Sequence, residues 1–184
     1  MPNDFEGPLG TRGGRPMSAW DNFFVAQVGA SAALAGLLFV GVSINISRLL
    51  QQPGLLDRAL QALTLLITIL VIASLDLVPV STNFELGIEI LVAGGAALVI
   101  LTALSRQVYK HTESRHGGFA QSSTALIESA SALYLAAGAA LLIFGRVGID
   151  LVVAAILLSY VISIIIAWVL LVEVNRLPPT SARV

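Results

Sequence analysis

Residues 151–172 read LVVAAILLSYVISIIIAWVLLV, an apolar run without a single charged side chain. A helix of about 20 residues spans the ~30 Å hydrocarbon layer of a bilayer, so this stretch alone is long enough to cross one. It does not alternate between apolar and polar residues, as a barrel strand must. Lipid offers no hydrogen-bond partner to an open strand edge, so a helix is the structure it predicts. Four more apolar runs precede it: Phe23 to Ser47, Ala59 to Leu75, Ile90 to Ser105 and Ser129 to Gly145. Turn signals separate them: Gln51-Gln52-Pro53-Gly54, Pro79-Val80-Ser81-Thr82-Asn83, His116-Gly117-Gly118 and Gly145-Arg146-Val147-Gly148. Residues 83–89 supply the first turns of the third span, and SSTALIE at 122–128 those of the fourth. The sequence therefore predicts an all-α polytopic membrane bundle with five transmembrane helices, over about 22–48, 57–78, 83–108, 122–145 and 149–174.

Composition agrees. The chain has 184 residues, 57% hydrophobic and only 11% charged, against roughly 25% charged in a soluble domain. A net charge of −1 provides no concentrated basic patch for nucleic acid. The absence of cysteine removes disulfides, thiolate metal sites and a cysteine nucleophile. Residues 1–19, rich in Gly and Pro, cannot bury enough apolar area to offset their entropy and are expected to be a disordered tail. Met1 and Met17 are both candidate starts. Residues 20–176 form the expected single bundle, and 177–184 a second tail.

Basic residues set an expected orientation. Arg48 and Arg58 flank the first loop; Arg106, Lys110 and Arg115 occupy the third; Arg176 and Arg183 end the chain. The second loop has no Lys or Arg, and the fourth has Arg146 alone. This alternation predicts a multi-pass protein of the cell (inner or plasma) membrane, with the N-terminus outside and the C-terminus cytoplasmic. Arg12 and Arg15 oppose that orientation. The segment Trp20-Asp21-x-Phe23-Phe24, followed by GASAALAGLLFVGVSINISR at 29–48, resembles small bacterial membrane proteins, a likeness that implies no activity.

Two sequence patterns bear on packing. Gly87-Ile88-Glu89-Ile90-Leu91-Val92-Ala93 resembles Gly148-Ile149-Asp150-Leu151-Val152-Val153-Ala154. This suggests a duplicated hairpin, spans two–three and four–five, with the first span added. In the first span, Gly29, Ala33, Gly36, Val40, Ser43 and Ser47 fall on one narrow stripe of mostly small residues. Small residues let helix backbones approach closely in lipid. The stripe is expected to pack against other spans of the chain or to act as a self-association face. Ala136–Ala140 and Gly94-Gly95 offer further small surfaces and predict a tight bundle without a wide cavity.

Acids at membrane depth are the natural place to look for function. Asp76 lies near Pro79, Glu85 and Glu89 fall in the first two turns of the third span, and Asp150 opens the fifth. All four gather on one side. Thr82-x-x-Glu85 fits a capping box, and acids in a first turn complement the helix dipole. Asp76 sits at the wrong end of its helix for that, and Glu89 is deeper than a cap requires. Glu128 lies inside the fourth span near the opposite side, where Arg106 or Arg48 could pair with it. Asp76, Glu89 and Glu128 are thus the candidate ion or proton path. Gln27, Asn45, Thr64, Thr68, Ser159 and Ser163 are candidates for hydrogen bonds between helices.

No P-loop, dinucleotide fingerprint, H-E-x-x-H or G-x-S-x-G motif occurs. His111 and His116 are five apart in a basic loop and do not share a helix face, and Glu113 alone is close as a further ligand. No cofactor, metal or enzymatic activity is expected. Two function classes stay open: a small oligomeric channel or carrier for a cation or proton, and a non-transporting scaffold or accessory subunit of a larger membrane complex. Transport requires the three acids to face one interior path. A scaffold requires them capped, paired or at the interface, with the small-residue stripe facing outward.

Overall fold

The computed structural model describes residues 19–51, 54–78, 83–112, 117–145 and 147–176. The expected tails lie outside these residues except for Ala19, which opens the first helix, and so do Arg12, Arg15, Thr82 and Arg146. The described chain is helical throughout: α1 Ala19–Ile44, α2 Ile46–Leu49, α3 Leu55–Asp76, α4 Asn83–Thr112, α5 Gly117–Phe144 and α6 Val147–Arg176. Five of these helices, all but the single turn α2, are long and apolar enough to span a bilayer.

Helix α4 runs on to Thr112 and α5 begins at Gly117, beyond the expected 108 and 122, so Gly117-Gly118 opens a helix rather than forming a turn. Two further boundaries move for local reasons. The first span does not run unbroken to residue 48. The Asn45 side chain donates to the Gly41 carbonyl at 2.9 Å, and α2 resumes only at Ile46. A short amide that bonds back to its own turn competes with the helix ladder. The second span ends at Asp76 rather than 78. Val78 precedes Pro79, and a residue before proline is pushed out of the helical region. Two turns need a left-handed backbone, and glycine supplies it at both: Gly54 with φ 91° before α3, and Gly145 with φ 63° after α5.

Helices α3, α4, α5 and α6 form a ring in which each packs on its two neighbours, α3 closing against α6. Helix α1 lies outside this ring and leans mainly on α3. One end of the bundle carries Asp21, Asp76, Glu85 and Asp150, and the other carries Arg48, Arg58 and Arg106; these are called the acidic and basic ends. The largest core cluster fills the acidic half around Phe24, Ile69, Ile72, Ile90, Tyr134 and Ile156. A second, around Leu65, Leu101, Ile127 and Ile162, fills the basic half. The outer surface is apolar as well. Leu37, Val99 and Ile143 are each at least 70% exposed, and α6 presents Leu157, Val161, Ile164, Ile165 and Trp168. A surface this apolar would associate in water and is solvated by lipid instead.

Glycine sets the closest approaches. A Cβ on Gly94 would stand 2.9 Å from the Tyr134 Cβ, and one on Gly138 would stand 2.8 Å from Leu91 and 3.0 Å from the Gly87 carbonyl. A Cβ on Gly148 would stand 2.5 Å from the Leu141 amide nitrogen. The tight bundle expected from Gly94-Gly95 and the small residues of α5 is realised at the α4–α5 and α5–α6 contacts. The sequence repeat does not carry into equivalent packing. Its matched glycines, Gly87 and Gly148, both pack on α5, at Leu142 and Leu141. A duplicated hairpin would place Gly87 on α3.

Candidate functional site

Helix α1 starts from an aromatic anchor, where Trp20 meets Phe23 edge-on at 6.1 Å and Phe23 meets Phe24 likewise at 5.3 Å. Phe24 is fully buried and plugs the acidic half of the core. One turn on, the Gln27 carbonyl accepts two hydrogen bonds, from Ser31 Oγ at 2.7 Å and from Tyr160 Oη at 3.1 Å. The second of these ties α1 to α6. Beyond Ser31, buried positions on α1 cease.

All six stripe residues, Gly29, Ala33, Gly36, Val40, Ser43 and Ser47, are exposed. A Cβ added at Gly29 or Gly36 meets nothing within 4 Å. The stripe therefore does not pack against other spans of this chain. It presents open backbone along the outside of the molecule.

The three acids lie on three different helices, with Glu128 toward the opposite end of the bundle from Asp76 and Glu89. Asp76 is half-buried at the acidic end, within electrostatic reach of Asp21 on α1. Glu89 is half-buried on α4, and its Oε2 is fully enclosed without a hydrogen-bond partner. Glu128 is half-buried on α5 toward the basic end. Its expected partners do not reach it: Glu128 makes no ion pair with Arg106 or Arg48. Between Glu89 and Glu128 the interior is filled by Ile90, Leu101, Ile127 and Tyr134, each no more than 2% exposed. The buried polar side chains Ser131 and Ser159 lie in the same bundle interior. Glu85 and Asp150 are exposed in the first turns of α4 and α6, as helix-dipole acids would be. No group of three or more metal-ligating side chains occurs among the described residues. His111 and His116 belong to the stretch whose side chains lie outside them.

The polar glue is partly where it was expected. Ser163 Oγ donates to the Ala62 carbonyl at 3.4 Å and links α6 to α3. Thr64 and Thr68 bond back to Leu60 and Thr64 on their own helix. The sequence reading missed the buried pair Gln61 and Ser105, where Gln61 Nε2 donates to Ser105 Oγ at 3.1 Å between α3 and α4. Gln61 was legible as an amide one turn inside an apolar run, though its partner was not. Tyr134 and Ser159 were missed as a pair. Both are fully buried and face each other across α5 and α6, and their hydroxyls find no well-formed hydrogen-bond partner among the described residues.

Fold and surface together define a multi-pass integral membrane protein: a four-helix ring with a fifth spanning helix laid against its outside. Compared with protein-family models, curated proteins and solved structures, the chain matches none.

Proposed function

We propose that this protein is a non-transporting membrane scaffold or accessory subunit, which uses the outer face of α1 to dock against another membrane helix, the first candidate being α1 of a second copy. The observation that carries this reading is the direction of the small-residue stripe. It faces away from the ring with open space at its glycines. In lipid, helices gain nothing from hiding apolar surface, so association draws on close backbone approach. An exposed row of Gly, Ala and Ser permits that approach, whereas bulky side chains would hold a partner off. The dispersed acids and the filled interior between Glu89 and Glu128 speak for the same reading and against a conduction path. The orientation proposed from the loop charges places the basic end in the cytoplasm.

The test has two readouts on purified, reconstituted protein. Energy transfer between labelled copies in vesicles should report association, and Gly36→Leu should weaken it at least tenfold without loss of folding. Cation and proton flux in the same vesicles should equal that of empty vesicles. Flux above that background, abolished by Glu89→Gln, would establish the transport reading in its place.

A further inference from the structure

Helices α1 and α6 part toward the basic end and leave a groove of about 280 Å³ between them, floored by Leu66 of α3. This approaches the ~300 Å³ lower bound of small-molecule clefts. Leu38, Gly41 and Val42 form one wall, and Ala167, Leu170 and Val174 the other. The lining is apolar apart from Asn45 and Ser163. Gly41 keeps the wall low, since a Cβ there meets nothing within 4 Å. The groove lies on a different flank of α1 from the exposed stripe, about 150° around the helix. It is therefore separate from the docking face proposed above.

At the basic end the groove closes on Leu49 of α2, which packs with Leu55, Ala59, Leu170 and Val174. Arg48 directly precedes Leu49, and Arg58 directly precedes Ala59. Both are half-buried, and among the described residues neither makes an ion pair or side-chain hydrogen bond. The α3 N-terminus is capped by Gly54 without a side-chain acceptor, carries Asp57 in its first turn, and packs Leu55 on Leu49. Asp57 and Glu173 are the described acids at this end of those helices; Asp57 is half-buried and Glu173 exposed. Charge and shape together describe an amphiphile: an apolar chain along the groove and an anion where the arginines stand. Basic pockets between membrane helices hold anionic lipid head groups on these terms.

We infer that the α1–α6 groove is a binding site for an anionic phospholipid, which lays one acyl chain between Gly41 and Ala167 and sets its phosphate against Arg48 and Arg58. Each arginine beside an anionic head group strengthens binding about fivefold. Trp168 offers a reporter. It adjoins the lining residue Ala167 and is 67% exposed. The chain has two tryptophans, so Trp20→Phe leaves Trp168 alone.

The full chain carrying Trp20→Phe is placed in phosphatidylcholine vesicles containing a rising fraction of lipid brominated on its acyl chains. Brominated phosphatidylglycerol should quench Trp168 at a fraction about fivefold or more below that needed for brominated phosphatidylcholine. Arg48→Gln with Arg58→Gln should make the two lipids equivalent. Gly41→Leu fills the groove without a clash and should also abolish the preference, with both arginines intact. Equal quenching by the two lipids in the unsubstituted protein overturns the inference. A preference that survives Gly41→Leu overturns it as well, because charge alone would then account for it.

Discussion

Two sets of glycines in this bundle have the same chemistry and opposite surroundings. Gly87, Gly94, Gly138 and Gly148 stand where a methyl group would strike a neighbour at 2.5–2.9 Å, and they hold α4, α5 and α6 together. Gly29, Gly36 and Gly41 on α1 stand in open space. Glycine inside a helix costs roughly 0.5–1 kcal/mol relative to alanine. In the ring that cost is offset by close packing within the chain. On α1 nothing within the chain offsets it. The difference shows that small residues in a membrane helix do not reveal which contact they serve until their direction is known.

Substitutions can break this comparison, and the largest effect should come from Gly148→Ala. The new methyl group meets the backbone of Leu141, which cannot rotate aside, and the cost should be ~3 kcal/mol. Reversible unfolding in mixed detergent micelles measures it; a cost under ~1 kcal/mol would mean α5 and α6 are less tightly apposed than described. Gly138→Ala comes next at ~2 kcal/mol by the same assay, because one obstacle is the movable Leu91 side chain and only the other is backbone. Gln61→Leu should cost about 1 kcal/mol by leaving Ser105 without its partner in a buried site. A double-mutant cycle with Ser105→Ala should return a coupling of ~0.6 kcal/mol, and zero coupling would dismiss that bond as a contributor. The smallest effect on folding belongs to Gly36→Ala, which should be neutral or stabilising by up to ~1 kcal/mol. Marked destabilisation there would place α1 inside the bundle and erase the contrast.

The spans were legible because lipid imposes a single requirement, an unbroken apolar length, and residues 151–172 or 23–47 meet it without ambiguity. The glycine turns at Gly54 and Gly145 were legible for an equally local reason. Asn45 shows where this ends. Its carbonyl competitor lies four residues back on the same helix, and hydropathy does not register such a bond. The direction of each helix was the larger gap. In a soluble helix the polar face announces the outside. Here α1 and α6 are apolar all round, so neither the outward turn of the stripe nor the enclosed Oε2 of Glu89 could be read from composition. The groove was hidden for the same reason, since it exists only where two apolar helices part.

The placement of α1 also bears on how the protein is made. Helix α1 leaves the ribosome before the helix it leans on, so it must wait in the membrane, or on the insertion machinery, until α3 follows. The ring itself cannot close before α6, the last span described, arrives to meet α3. The contacts between α4 and α5 can form soon after both are inserted, whereas those of α1 with α6 join segments more than a hundred residues apart, as the Gln27–Tyr160 bond does at a separation of 133. Such distant pairings are the slow steps of assembly. A nascent chain halted before α6 would expose both the unclosed flank of α3 and the glycine face of α1, and so present the cell's quality-control proteases with two recognisable surfaces at once.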